Sequence, residues 1–254
     1  MKNMNAVLSA LLAAVFYAVN VPLSKLLLRD VGPAMMAALL YLGAGLGIAA
    51  LSLLRREGCG RSQPLTKGDL PFVAGMIVLD IAAPILLMMG IRGSSSSSAS
   101  LLGNFEIAAT AVIALFVFHE GVSKRLWAAI GLITLSSALL SFQGGRRAGP
   151  SPLWVLLAAA CWGFENNCTR MISSKSTYEI VVLKGVFSGT GSLAIALARG
   201  EALPTPPAAA AALLLGFVAY GLSIFLYVRA QSALGAAKTS AYYAAAPFIG
   251  AFLS

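Results

Sequence analysis

Four ionisable side chains stand deep inside long apolar runs: Asp80, Glu106, Glu165 and Lys184. A charge at such a depth in hydrocarbon is costly unless it is paired or wetted, so each is a candidate functional group. A carboxylate there can take up and release a proton. A lysine there can hold a carboxylate or, through its long stem, reach back towards an interface. Around Glu165 the block CWGFENNCTR (161–170) adds Trp162, Asn166, Asn167, Thr169 and Arg170. At about 100° per residue, Trp162, Glu165 and Thr169 share one helical face, with Cys161 and Cys168 at its edge. Asn166 and Arg170 lie on an adjacent face, and Asn167 points nearly opposite, where it would serve as glue between helices. Asp80 precedes Pro84 by one helical turn, so it could organise a kink there or pair with Lys184. Glu106 with Lys184, or Glu165 with Lys184, are the other pairings that the types suggest.

These groups need a scaffold, and composition says which kind. The chain is 59% hydrophobic and 11% charged, with a mean hydropathy of +0.85. A soluble domain carries about 25% charged residues, so this chain cannot cover itself with a solvated surface. Apolar runs of the roughly 20 residues that cross a bilayer recur along it. The reading is an all-α polytopic membrane protein, with expected spans 5–28, 33–54, 70–90, 96–118, 125–142, 152–170, 178–198, 207–230 and 236–254. Its net charge of +9 sits at the edges of the apolar runs, where it anchors helices, and leaves no basic face for nucleic acid. Counting Lys and Arg by loop gives 11 against 6 in favour of a cytoplasmic N-terminus. The apolar run after Lys2 outlasts the core of a signal peptide and reads as the first span. Cys161 and Cys168, about 10 Å apart by helical rise, are too distant to bridge, and Cys59 falls in a polar loop.

After the Gly/Arg/Pro-rich stretch 144–152 the pattern restarts. AAVFYAVNVPLSK (13–25) lies over AAACWGFENNCTR (158–170), placing Asn20 on Glu165 and Lys25 on Arg170. In the same register Tyr17, Asn20 and Ser24 form a milder version of the later polar block. SASLLGNFEIAATAVIALF (98–116) lies over KTSAYYAAAPFIGAFLS (238–254), placing Ser100 on Ser240 and Ile107 on Pro247. Two copies of five helices each would be inverted relative to one another, because an odd number flips the second copy. The expected division is 1–145 and 146–254, a ten-helix type with about nine spans present.

A polar-tipped first helix, and a fourth helix ending in a glutamate (NFEIAATAVIALFVFHE, 104–120), resemble the EamA-type drug/metabolite transporter superfamily. The block WGFENNCTR, the following EIVVLKG and the later KTSAYYAAAPFIGA are similar to one bacterial subgroup of it. The resemblance implies two inverted five-helix repeats around a central cavity, and transport of small organic solutes by alternating access. It places Glu106 at a glutamate position of the family and Lys184 at a depth where a basic residue is common. Two departures stand out. Glu106 is followed by Ile107 where the family often has proline, which occurs only in the second copy as Pro247. The chain also stops within the ninth helix where the family has a tenth, so a truncated second repeat is expected.

The residues expected to meet substrate are Tyr17, Asn20, Glu106, Trp162, Glu165, Asn166, Lys184 and Tyr243, with Glu106, Glu165 and Asp80 as candidates for proton exchange. Tyr242, Asn104 and Phe105 are further candidate cavity walls. The serine run 94–98 reads as small residues that permit close helix packing, and Glu120 as a loop cap. There is no G-x-x-x-x-G-K-[ST] and no H-E-x-x-H, and a single histidine supports no hydrolytic triad. The expectation is a secondary active transporter, as an exporter of small metabolites such as amino acids, in a bacterial inner membrane and without a cofactor. A non-transporting fragment and an intramembrane enzyme are the alternatives. The lipid bilayer and a small-molecule substrate are the expected partners, with a homodimer left open.

Overall fold

A backbone in hydrocarbon is satisfied within helices or closed barrels, and the described residues build almost nothing but helices. The computed structural model describes residues 2–55, 65–142 and 150–253. Cys59, most of the predicted linker at 144–152, and the expected boundary at 145 lie outside them.

Nine rods follow one another among the described residues. The first is α1 (Lys2–Ala18) and α2 (Asn20–Leu27), interrupted at Val19; α3 (Pro33–Arg55) and α4 (Leu70–Gly93) are continuous. The fourth is α5 (Ser96–Leu102) and α6 (Phe105–Phe116), and α7 (Lys124–Phe142) and α8 (Ser151–Ile172) come next. The seventh runs through α9 (Thr177–Leu183), a π-helical turn at Lys184–Ser188, and α10 (Gly189–Ala198). The eighth joins α11 (Pro206–Leu215) to α12 (Ser223–Leu234) through a π-helical stretch, Gly216–Leu222. The ninth is α13 (Ala236–Tyr243) and α14 (Ala245–Phe252). These rods match the nine expected spans to within four residues at every end. Six of them are long and apolar enough to cross a membrane. α8, which carries the polar block, is among the three that fall short.

The rods pack in matched pairs. α1 lies against α12 as α8 lies against α4, and α1 meets α13 and α14 as α8 meets α5 and α6. The second rod faces the seventh, and the fourth faces the ninth. Exchanging each rod with the one five places later maps these contacts onto each other, as an inverted five-helix repeat does. The breaks obey the same register. The fourth rod is interrupted at Gly103–Asn104 and the ninth at Ala244, the position that the Ser100–Ser240 alignment puts opposite Asn104.

Small residues set the closest crossings, because helix association in lipid relies on backbone approach. Gly45 on α3 and Gly185 in the seventh rod face each other so closely that a methyl on either would run into the other's backbone. Gly163 on α8 is nested against Ala109 and the amide of Thr110 in the same way.

Loops cap helices at a distance. Glu201, after the seventh rod, accepts from the amides of Ala34 (3.2 Å) and Met35 (2.8 Å), the open N-terminus of α3. Glu120, the expected loop cap, accepts from the amide of Ala236 at 3.3 Å, at the start of α13. Lys25 places its ammonium on three carbonyls at the C-terminus of α4, those of Ile91 (2.7 Å), Arg92 (3.0 Å) and Ser94 (2.7 Å). In the serine run, Ser95 caps α5 by accepting from the amide of Ser98, a role beyond the expected close packing. Ser123 accepts from the amide of Leu126 in the first turn of α7.

Replacing Gly45 or Gly185 with valine will destabilise the bundle by about 1–3 kcal/mol through overpacking. Gly131→Ala, at a position with open space around it, will leave stability unchanged or slightly raised. Thermal unfolding of the detergent-solubilised variants, followed by intrinsic fluorescence, measures the difference.

Candidate functional site

Three rods bring Asp80, Glu165 and Lys184 together. The π-helical turn that begins at Lys184 inserts an extra residue into the seventh rod, a device that often re-aims a side chain at a functional site. Lys184 is buried, and its Nζ lies 2.6 Å from Glu165 Oε1 on α8 and 3.3 Å from Asp80 Oδ2 on α4. It also donates to Thr169 Oγ1 at 3.3 Å. Two of its three donors are thus engaged by Glu165 and Thr169, while Asp80 is held by charge, its Oδ2 buried without a hydrogen-bond partner. Thr169 in turn donates to Glu165 Oε1, and Tyr41 donates to Asp80 Oδ1 at 2.7 Å. The lysine therefore does not reach back to an interface. It bridges two acidic residues, and Asp80 is a partner in that bridge rather than only the residue before Pro84.

Glu106 stands apart from this cluster. It lies in the first turn of α6, where negative charge meets the positive end of the helix dipole. Asn166 donates to its Oε1 at 2.7 Å and also to Thr110 Oγ1 at 3.2 Å. Among the described residues no basic side chain forms an ion pair with it, so the expected Glu106–Lys184 pair is absent and the Glu165–Lys184 pair is formed.

A cavity opens between these groups. Asp80, Glu106, Glu165, Asn166 and Lys184 supply its polar lining. Tyr17, Trp162 and Tyr243 supply aromatic walls, joined by Tyr41, Tyr220 and Tyr227. The rings touch in sequence. Tyr17 lies 6.5 Å from Trp162, 5.7 Å from Tyr220 and 5.6 Å from Tyr243, centroid to centroid. Tyr41 meets Tyr220 at 5.1 Å and Tyr227 meets Tyr243 at 5.0 Å. A second, mainly apolar compartment shares Tyr17, Glu106, Trp162 and Tyr243 with the first. It runs between the ends of α1, α4 and α14 and the beginnings of α5 and α8. At the opposite end of the bundle an apolar cluster closes the interior: Met76, Cys168, Ile172, Ile180 and Val228, with Phe72 and Phe118 against it. Lys175 and Asp69 form an ion pair of 3.4 Å at that end.

Seven of the eight residues expected to meet substrate line the polar cavity. Asn20 does not. It is fully buried behind the wall, where its amide donates to the Tyr220 hydroxyl at 3.4 Å and its Oδ1 accepts from Ser24 at 3.0 Å. Asn167 is interhelical, as expected, donating to the carbonyl of Thr110 on α6 at 3.1 Å. Asn104 lines the apolar compartment, whereas Phe105 packs against the main core. Tyr242 is 42% exposed and faces away from the cavity. Arg170 bonds the side chain of Ser173 close to its own helix end. Tyr41, Tyr220 and Tyr227 are walls that the sequence reading did not select. The signal they offered is depth: a tyrosine in mid-helix cannot belong to an interfacial belt and needs a buried partner for its hydroxyl.

A model of the EamA-like transporter family matches residues 4–142 and, again, 150–254. An uncharacterized transporter from Methanothermobacter thermautotrophicus is 22% identical over 211 residues, which cover 77% of this chain and 61% of that protein. The chain thus matches about three fifths of the length of that relative. A protein of known crystal structure superposes with a TM-score of 0.77 at 16% identity, over 98% of this chain and 86% of that one. That likeness is one of fold.

Lys184→Met will leave two buried carboxylates without their cation and cost about 3–5 kcal/mol. The triple variant Asp80→Asn, Glu165→Gln, Lys184→Met will unfold at a higher temperature than Lys184→Met alone, because it removes the stranded charges with their partner. A triple variant no more stable than the single one would show that the bridge is not what holds these helices.

Proposed function

Because the chain belongs to the EamA-like transporter family, we propose that it is a secondary active transporter of small organic metabolites of about amino-acid size. The observation that carries this reading is the interior cavity with three carboxylates and one lysine in its wall, inside a bundle whose outer surface is apolar. Such groups are retained in a membrane interior where they bind or couple something.

The mechanism is alternating access. The apolar cluster around Met76, Ile172 and Val228 closes one end of the cavity, and the second compartment extends it towards the other. In the opposite state the two copies, divided near residue 145, rock around the cavity and exchange the closed end. Proton coupling falls to Glu106. Glu165 and Asp80 are occupied by Lys184, whereas Glu106 faces only the neutral amide of Asn166 and is free to gain or lose a proton. The direction is export across a bacterial inner membrane, with the N-terminus in the cytoplasm, as the distribution of Lys and Arg supports.

In liposomes with an imposed pH gradient, the reconstituted chain will accumulate small metabolites, and Glu106→Gln will abolish the dependence on the gradient. Glu165→Gln will lose transport together with thermal stability, since it also breaks the bridge. If both variants transport like the unaltered chain, the assignment of these residues is wrong.

A further inference from the structure

The cavity holds more negative charge than it neutralises. Asp80, Glu106 and Glu165 face it, and Lys184 is the one basic residue in its lining. That lysine donates to Glu165 and Thr169 and pairs with Asp80 at 3.3 Å, so its charge already faces two carboxylates of the wall. Among the described residues Glu106 has no ion-pair partner, and it lines the same wall as the rings of Tyr17, Trp162 and Tyr243. Ring faces attract a cation, most strongly where water is excluded. The carboxylates are not arranged for a metal ion: among the described residues no three acidic, cysteine or histidine side chains are grouped to ligate one.

The adjoining compartment adds an independent observation. Ser100 and Asn104 line it, both residues are at least nine-tenths buried, and neither Ser100 Oγ nor Asn104 Oδ1 has a hydrogen-bond partner. An unsatisfied buried polar atom is costly, and these two stand one helical turn apart in an otherwise apolar pocket that meets the polar cavity at Glu106. A ligand with a charged head at Glu106 and an apolar body in the second compartment would place a polar substituent within their reach.

We infer that this site takes organic cations, amines or quaternary ammonium compounds with an apolar body, in preference to zwitterionic or anionic solutes. The inference rests on the transport reading above and narrows it to a substrate class. A free amino acid brings a carboxylate into a chamber whose one cation already faces two carboxylates. The same carbon skeleton without that carboxylate fits.

Three probes with similar apolar bodies test this: trimethyl(2-phenylethyl)ammonium, phenylalanine and 3-phenylpropanoate. In calorimetric titrations of the detergent-solubilised chain, the ammonium compound will bind about tenfold or more tightly than either of the others. Glu106→Gln will weaken its binding by about tenfold or more, with a thermal melt recorded alongside to show that the variant is folded. The probe comparison on the unaltered chain decides the matter even where that variant folds poorly. Equal or tighter binding of phenylalanine or phenylpropanoate, or no binding of the ammonium compound, overturns the inference. Uptake into liposomes separates it from the reading beneath it. If the ammonium compound binds but does not cross, the cation site stands and transport falls. If phenylalanine crosses and the ammonium compound neither binds nor crosses, transport stands and the cation site falls.

Discussion

One ammonium group, that of Lys184, holds the interior of this protein together. It ties α4, α8 and the seventh rod at a depth where water is scarce, through Asp80, Glu165 and Thr169. In a medium of low dielectric the attraction is large, but so is the penalty for drawing each charge out of water, and the two come close to cancelling. What such a bridge supplies is uniqueness more than net stability. Any other arrangement of these three helices would leave a bare charge in hydrocarbon. The π-helical turn that starts at Lys184 is part of this arrangement, since it is where the seventh rod departs from regular geometry.

From that tether the division of roles among the carboxylates follows. Glu165 and Asp80 are committed to the lysine, and Tyr41 further fixes Asp80. Glu106 lies on a different helix, at the start of α6 just after the break at Gly103–Asn104, and answers only to Asn166. A chamber with one fixed ion cluster and one uncommitted carboxylate has a rigid side and a responsive side. The aromatic rings run between them: Tyr17 touches Trp162, Tyr220 and Tyr243, and so spans rods from both copies of the repeat.

Much of this was legible in the residues. The spans were readable because hydrocarbon imposes a minimum length of apolar chain, and the polar block at 161–170 could not be mistaken for anything but a cost requiring a reason. The wheel of α8 correctly set Trp162 and Glu165 towards a common space and Asn167 towards a neighbouring helix. What could not be read was depth across the bundle. Asn20 aligns with Glu165 in the repeat, yet it sits behind a tyrosine, because register within a helix does not say how far a short side chain reaches past its neighbours. Tyr41, Tyr220 and Tyr227 escaped notice for the related reason that tyrosine is common in membrane helices, and only the three-dimensional arrangement shows which hydroxyls point inward. The π-helical turns at Lys184 and Gly216 carry no sequence signature comparable to proline.

The caps supplied by Glu120 and Glu201 bear on how the protein comes into being. Glu201 closes the N-terminus of α3 from 167 residues further along the chain, and Glu120 closes the start of α13 from 116 residues before it. A ribosome delivers Ala34 and Met35 to the membrane long before Glu201 has been synthesised. During that interval the amides at the head of α3 must be served by water or headgroups, so the early helices enter the bilayer as a provisional set. They acquire their final ends only when the later helices arrive. Each half thus completes the other, because each supplies a carboxylate that closes a helix end in its counterpart.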